Sequence, residues 1–159
     1  MTVEIVKWRP KQELSEQEER IIERMMRSGK LFAFLRRHRH ELFDEAFQEE
    51  LASMYRQTGA GKEPLPPARM AMATLLQGYL GASDATMVEL TVFDLRVQMV
   101  LDCLGKTEAA FSQGALFDFR QRLNSHAHGR APAGEKRRGG HEPAGLRVAG
   151  AEILAARGH

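Results

Sequence analysis

The sequence predicts an all-α fold: a compact bundle of five to seven helices, with a helix-turn-helix-like C-terminal part and a disordered tail. Three observations carry this. Apolar residues recur at helical spacing in segment after segment from Leu14 to Leu123. No segment alternates as a strand does, and no Asn-Gly hairpin signal occurs. The breaks between segments carry glycine, proline and capping residues, as helix ends do.

Taken in order, residues 1–13 are polar with one Trp and one Pro, and are expected to be extended. Ser15 and Glu18 then form a capping box, each side chain able to serve the other's backbone N–H. Ile21, Ile22, Met25 and Met26 make the apolar stripe of this first helix, with Gly29 as its stop. Lys30 to Thr58 reads as one long helix or two with a kink. Its stripe is Leu31, Leu35, His38 and Leu42, continued by Phe43, Phe47, Leu51, Met54 and Tyr55. The glycines and prolines of TGAGKEPLPP then make a loop.

Pro67 suits the first turn of the next helix, where its missing N–H costs nothing. Met72, Leu75, Leu76, Tyr79 and Leu80 form that helix's buried side. Ser83 or Asp84 caps another helix, carrying Met87, Val88, Leu90 and Thr91 to about Phe93. Val97, Val100, Leu101 and Leu104 give a short helix ended by Gly105. Ser112 caps the last, whose stripe is Leu116, Phe119 and Leu123. Met70, Met72, Met87 and Met99 read as core filler.

At Ala127 the composition changes. The segment 127–159 is rich in Ala, Gly and Arg and has no Phe, Trp or Tyr, so it is expected to be disordered. This gives an extended segment 1–13, a helical domain 14–126 and a tail 127–159.

The net charge of +2 hides an uneven distribution. The tail holds six of the 23 basic and three of the 21 acidic residues. The remaining 17 basic and 18 acidic residues leave the helical part at −1. Nucleic-acid binding would therefore rest on local patches. No apolar run approaches the roughly 20 residues that span a bilayer, and the start lacks the apolar run of a signal peptide. A cytoplasmic location without membrane association is expected. Cys103 is the sole cysteine, so there is no internal disulfide and no CxxC metal site. It is read as a buried, inert thiol. The histidines show no zinc spacing with it, and there is no P-loop or Gly-rich dinucleotide turn.

Four pieces in sequence, PPARMAMATLLQGYL, SDATMVEL, FDLRVQMVL and FSQGALFDFRQRL, resemble the amino-terminal domain of bacterial insertion-sequence transposases of the DDE class. The resemblance covers roughly Gly29 to His126. It implies recognition of double-stranded DNA at terminal inverted repeats, with self-association. In that family a connector and a strand-rich catalytic domain follow, whose three carboxylates hold Mg²⁺ for phosphodiester chemistry. Nothing in the tail resembles such a domain. The expectation is thus a truncated or frameshifted transposase with no cofactor of its own and no cleavage activity. Asp84, Asp94, Asp102 and Asp118 are read as helix caps and ion-pair partners. The alternative function is a small helical protein-interaction module, or the product of a gene remnant.

For DNA contact the candidates are Ser112, Gln113, Asp118, Arg120, Gln121 and Arg122 on the last helix. A helical wheel sets Leu116, Phe119 and Leu123 inward. It sets Gly114, Asp118, Gln121, Arg122 and Ser125 on the opposite side. Arg120 lies beside the stripe, where pairing with an acid such as Asp94 competes with DNA contact. A second candidate group is Arg36, Arg37 and Arg39, able to neutralise phosphates, although a run of acids from Glu41 to Glu50 follows at once. Lys136, Arg137 and Arg138 in the tail read as a solvated charge run, with nonspecific nucleic-acid contact as the alternative.

Overall fold

The computed structural model describes residues 5–55 and 65–129. Among them are seven α-helices and no strand: α1 (Glu16–Arg24), α2 (Lys30–Leu42), α3 (Glu45–Ser53), α4 (Pro67–Leu80), α5 (Asp84–Phe93), α6 (Leu95–Val100) and α7 (Gln113–Gly129). The segments expected at 56–64 and 130–159 lie outside the described residues.

Helix starts follow local chemistry. Ser15 and Glu18 close the capping box on α1. Asp44 caps α3, which settles the stretch after Lys30 as two helices: its side chain accepts from the Phe47 N–H at 3.0 Å. Pro67 opens α4, and Ser83, not Asp84, caps α5. Gly81 ends α4 in the left-handed region (φ 64°), while the Ala82 N–H reaches back to the Gln77 carbonyl at 3.1 Å.

Two boundaries differ from expectation. Helix α1 stops at Arg24, not at Gly29, so Met26 leaves the stripe and stands 84% exposed. Gly29 instead ends a 3₁₀ turn (Arg27–Gly29) leading into α2, and a side chain there would run into Met25. At the other end, α7 continues to Gly129, past the composition change at Ala127. Tyr79 also departs from the expected buried side of α4 and is exposed, its ring edge-on to Phe32.

The core lies between α2, α4, α6 and α7. Phe32 and Leu35 of α2 belong to one buried cluster with Met72 and Leu76 of α4, Met87 of α5, Val97 and Val100 of α6, and Leu116 and Phe119 of α7. All four expected filler methionines are buried. Cys103 is buried too, and burial pushes its thiol up. Helix α7 packs on α4 and α5, while α2 packs on α6.

Candidate nucleic-acid interface

The platform beneath α7 is fixed by polar side chains. Gln98, buried on α6, gives its amide to the carbonyls of Thr91, Val92 and Lys106, each at 3.0 Å. Thr91, also buried, accepts from the Ala110 N–H at 3.1 Å. These bonds bind the end of α5 to the loop that leads into α7. Ser112 then caps α7, its hydroxyl accepting from the Ala115 N–H at 3.1 Å. One lone pair of that hydroxyl thus serves the helix start.

Arg120 anchors α7 sideways. Its guanidinium forks onto both carboxylate oxygens of Asp84 and reaches the Gln77 side chain at 3.1 Å. Gln77 in turn donates to Asp84 at 2.7 Å. The arginine holds the Asp84 carboxyl below the usual range, and Asp84 raises Arg120 in return. The partner is thus Asp84 at the start of α5. Asp94, the acid expected from sequence, caps α6 and pairs with Arg96.

Arg122 anchors the other margin. It donates to Asp118 at 2.9 Å and to the Met54 carbonyl at 3.3 Å, and lies 4.5 Å from the Tyr55 ring centre. Burial pushes the Tyr55 hydroxyl up to about 12, despite the nearby Arg122 charge. Arg122 therefore folds against the end of α3 instead of projecting outward as the wheel suggested.

Between these margins an arc of α7 faces solvent. Gln113, Gly114, Phe117, Asp118, Gln121 and Ser125 are exposed along it. Phe117 is 53% exposed, with the Arg120 guanidinium 5.9 Å from its ring centre. Phe117 is not among the residues that the sequence singles out on this helix. The signal was present, since Phe117 sits about 100° round the helix from Leu116, off the apolar stripe.

The α2 arginines divide. Arg36 is fully buried and Arg39 only 2% exposed. Arg36 pairs with Glu18 and donates to the carbonyls of Gln12 and Glu13. Arg39 donates to the carbonyls of Met99, Val100 and Lys11 at 2.9–3.1 Å. Burial, with the Arg36 charge beside it, lowers Arg39 to about 10, which leaves it charged at neutral pH. Burial also works against the charge on Glu18, but its bonds from Arg36 and Ser15 win and hold the carboxyl below its ordinary value. Neither arginine offers its guanidinium to a phosphate. Both are staples that fasten the extended N-terminal segment across α2. Arg37 alone of the three is exposed.

The four aspartates of the sequence reading do not come together. Asp84 and Asp94 are spent as above, Asp118 pairs with Arg122, and Asp102 stands 3.9 Å from Arg39. Among the described residues no group of three or more His, Cys, Asp or Glu is placed to hold a metal ion. The residues described thus do not fit the Mg²⁺ site of a DDE catalytic domain. Nor is any of their helices long and apolar enough to cross a membrane.

Neither the curated proteins nor the solved structures contain a match to this chain. Residues 18–122, from within α1 to Arg122 of α7, match the family described as Transposase domain (DUF772). That span takes in the Gln98 tie, the Arg120 anchor, the exposed arc of α7 as far as Gln121, and more than half of the chain. The chain belongs to the Transposase domain (DUF772) family.

Proposed function

We propose that this chain is the DNA-recognition part of an insertion-sequence transposase, binding double-stranded DNA at terminal inverted repeats with α7 in the major groove. The observation that carries the reading is the exposed arc of α7 within a transposase-family span. A helix fixed at both margins by Arg120 and Arg122 presents Gln113, Phe117 and Gln121 to solvent. Ser112 and Arg120 support the helix and do not read DNA. Arg37 supplies a phosphate contact from α2. Asp84, Asp94, Asp102 and Asp118 serve as caps or ion-pair partners, so we assign them no cleavage chemistry, and DNA binding is taken to need no metal. Self-association completes the proposal, supported by Phe93 and Leu95, which stand exposed where α5 meets α6.

The test is a titration of the full chain against inverted-repeat and scrambled duplexes over a range of salt, with and without EDTA. Repeat DNA should bind more tightly, EDTA should change nothing, and affinity should fall by about 0.9 log units per phosphate contact for each log unit of salt. Binding that ignores both sequence and salt would favour a protein-interaction module instead, a reading that the exposed Phe93, Leu95 and Phe117 would equally suit.

A further inference from the structure

We propose that the exposed arc of α7 is built to read A·T base pairs, with Phe117 on thymine methyl groups and Gln113 and Gln121 on adenine. The inference rests on the DNA-binding reading above and adds which bases are read.

Arginine and lysine make the commonest specific contact to guanine, through its O6 and N7 atoms. The only basic side chains between Gln113 and Ser125 are Arg120 and Arg122. Arg120 is held on Asp84 and Gln77, and Arg122 on Asp118 and the Met54 carbonyl. Neither is at liberty to pair with guanine without giving up an anchor of the helix.

What the arc presents is different. Gln113 and Gln121 lie one turn to either side of Phe117, and all three are exposed. A glutamine side chain offers one donor and one acceptor, the pair that matches N7 and the amino group of adenine. An exposed phenyl ring matches the C5 methyl of thymine, the one apolar group on the major-groove edge. Gly114, one turn before Phe117, has no side chain to hold the helix off the bases. Asp118 is the dissenting group, an acceptor suited to cytosine, and Arg122 holds one of its oxygens.

An aromatic ring half in water also needs a reason. Phe117 contributes little to the core, where Leu116 and Phe119 are fully buried beside it. The Arg120 guanidinium lies 5.9 Å from its ring centre, and the 53% exposure of the ring leaves room for a contact outside the chain. The occupant is taken as DNA because its immediate neighbours on the arc are amides, which complement base edges.

The experiment uses the full chain and three duplexes of equal length: alternating A·T, the same duplex with uracil for thymine, and alternating G·C. Uracil removes only the methyl group. Binding should favour A·T over G·C by about tenfold, within the range for one or two good base contacts. The uracil duplex should bind about fourfold more weakly, the effect of one buried methyl-sized group. Phe117→Ala should keep the native melting temperature, bind the thymine duplex like the uracil one and no longer distinguish them. Gln121→Ala should cut the A·T preference from about tenfold towards the roughly fourfold that the methyl effect supplies, and keep that methyl effect.

A Phe117→Ala variant that still distinguishes thymine from uracil overturns the proposal. Equal binding of the native chain to all three duplexes overturns it too, and leaves DNA binding intact. Failure to bind any duplex removes the DNA reading itself, and this inference with it.

Discussion

Helices α2 and α7 carry the same residue type to opposite ends. In α2 the run Arg36-Arg37-His38-Arg39 looks like an outward basic cluster, yet Arg36 and Arg39 are buried and hold carbonyls of other segments. In α7 the arginines lie at the margins of the exposed face and fix how the helix sits, leaving amides and a phenyl ring exposed between them. Arginine carries five donors on a planar fork, so one buried side chain can satisfy several backbone carbonyls that have no helix partner. A basic residue therefore predicts a phosphate contact only after its burial is known.

The sharpest way to break this contrast is Arg39→Ala. Removing it leaves the carbonyls of Met99, Val100 and Lys11 without their donor and a hole under Trp8, whose ring lies 5.7 Å from the guanidinium. A loss of about 3–5 kcal/mol is expected by denaturant titration. Arg39→Met, which refills the volume but not the donors, should recover only part of it. A variant with native stability and weakened DNA binding would return Arg39 to the surface. On α7 the counterpart is Phe119→Ala, expected to cost about 3–5 kcal/mol as the removal of a fully buried ring.

Arg120→Ala comes next, at about 1–3 kcal/mol, because it leaves Asp84 and Gln77 without their partner in a half-buried site. DNA binding should fall with it, through the position of α7. Acid offers a second way to the same pair. Asp84 is held below its ordinary 3.8 by Arg120, and Glu18 below its ordinary 4.5 because the Arg36 and Ser15 bonds outweigh its burial. Both carboxyls are depressed in the fold, so their contribution is present above these values and is lost as pH falls through the folded ones. The melting temperature should therefore drop below about pH 4.5, and Asp84→Asn should shrink that drop by starting from a lower plateau.

These differences show what the sequence could carry. Helix positions were legible where they rest on local signals: the Ser15–Glu18 box, Ser83 as a cap and Pro67 at a first turn, whereas the Asp44 cap that splits α2 from α3 was not read. The core stripe of α7 was legible because Leu116 and Phe119 have no polar alternative. Partners were not. Arg120 finds Asp84, 36 residues away, and Gln48 holds the Trp8 backbone across 40 residues. Such pairs depend on how helices stack, which periodicity does not encode. Phe117 was missed for a related reason: a stripe names the residues that face in, and says nothing of an apolar residue that faces out.

The smallest effect on the fold, and the cleanest comparison within α2, belongs to Arg37. It sits one residue from Arg36 and two from Arg39, yet its side chain is exposed. Arg37→Ala should change stability by less than about 0.5 kcal/mol, as surface substitutions do. If the DNA backbone passes α2, the same change should weaken binding to repeat and scrambled duplexes alike, because a phosphate carries no sequence information. The slope of log affinity against log salt should then shrink by about one, the loss of one charged contact. The uniform loss matters here: Phe117→Ala should alter preference between duplexes at a fixed salt slope, and Arg37→Ala should alter the slope at a fixed preference. An unchanged slope would take Arg37, and with it the whole of α2, off the DNA side and leave α7 as the contact surface.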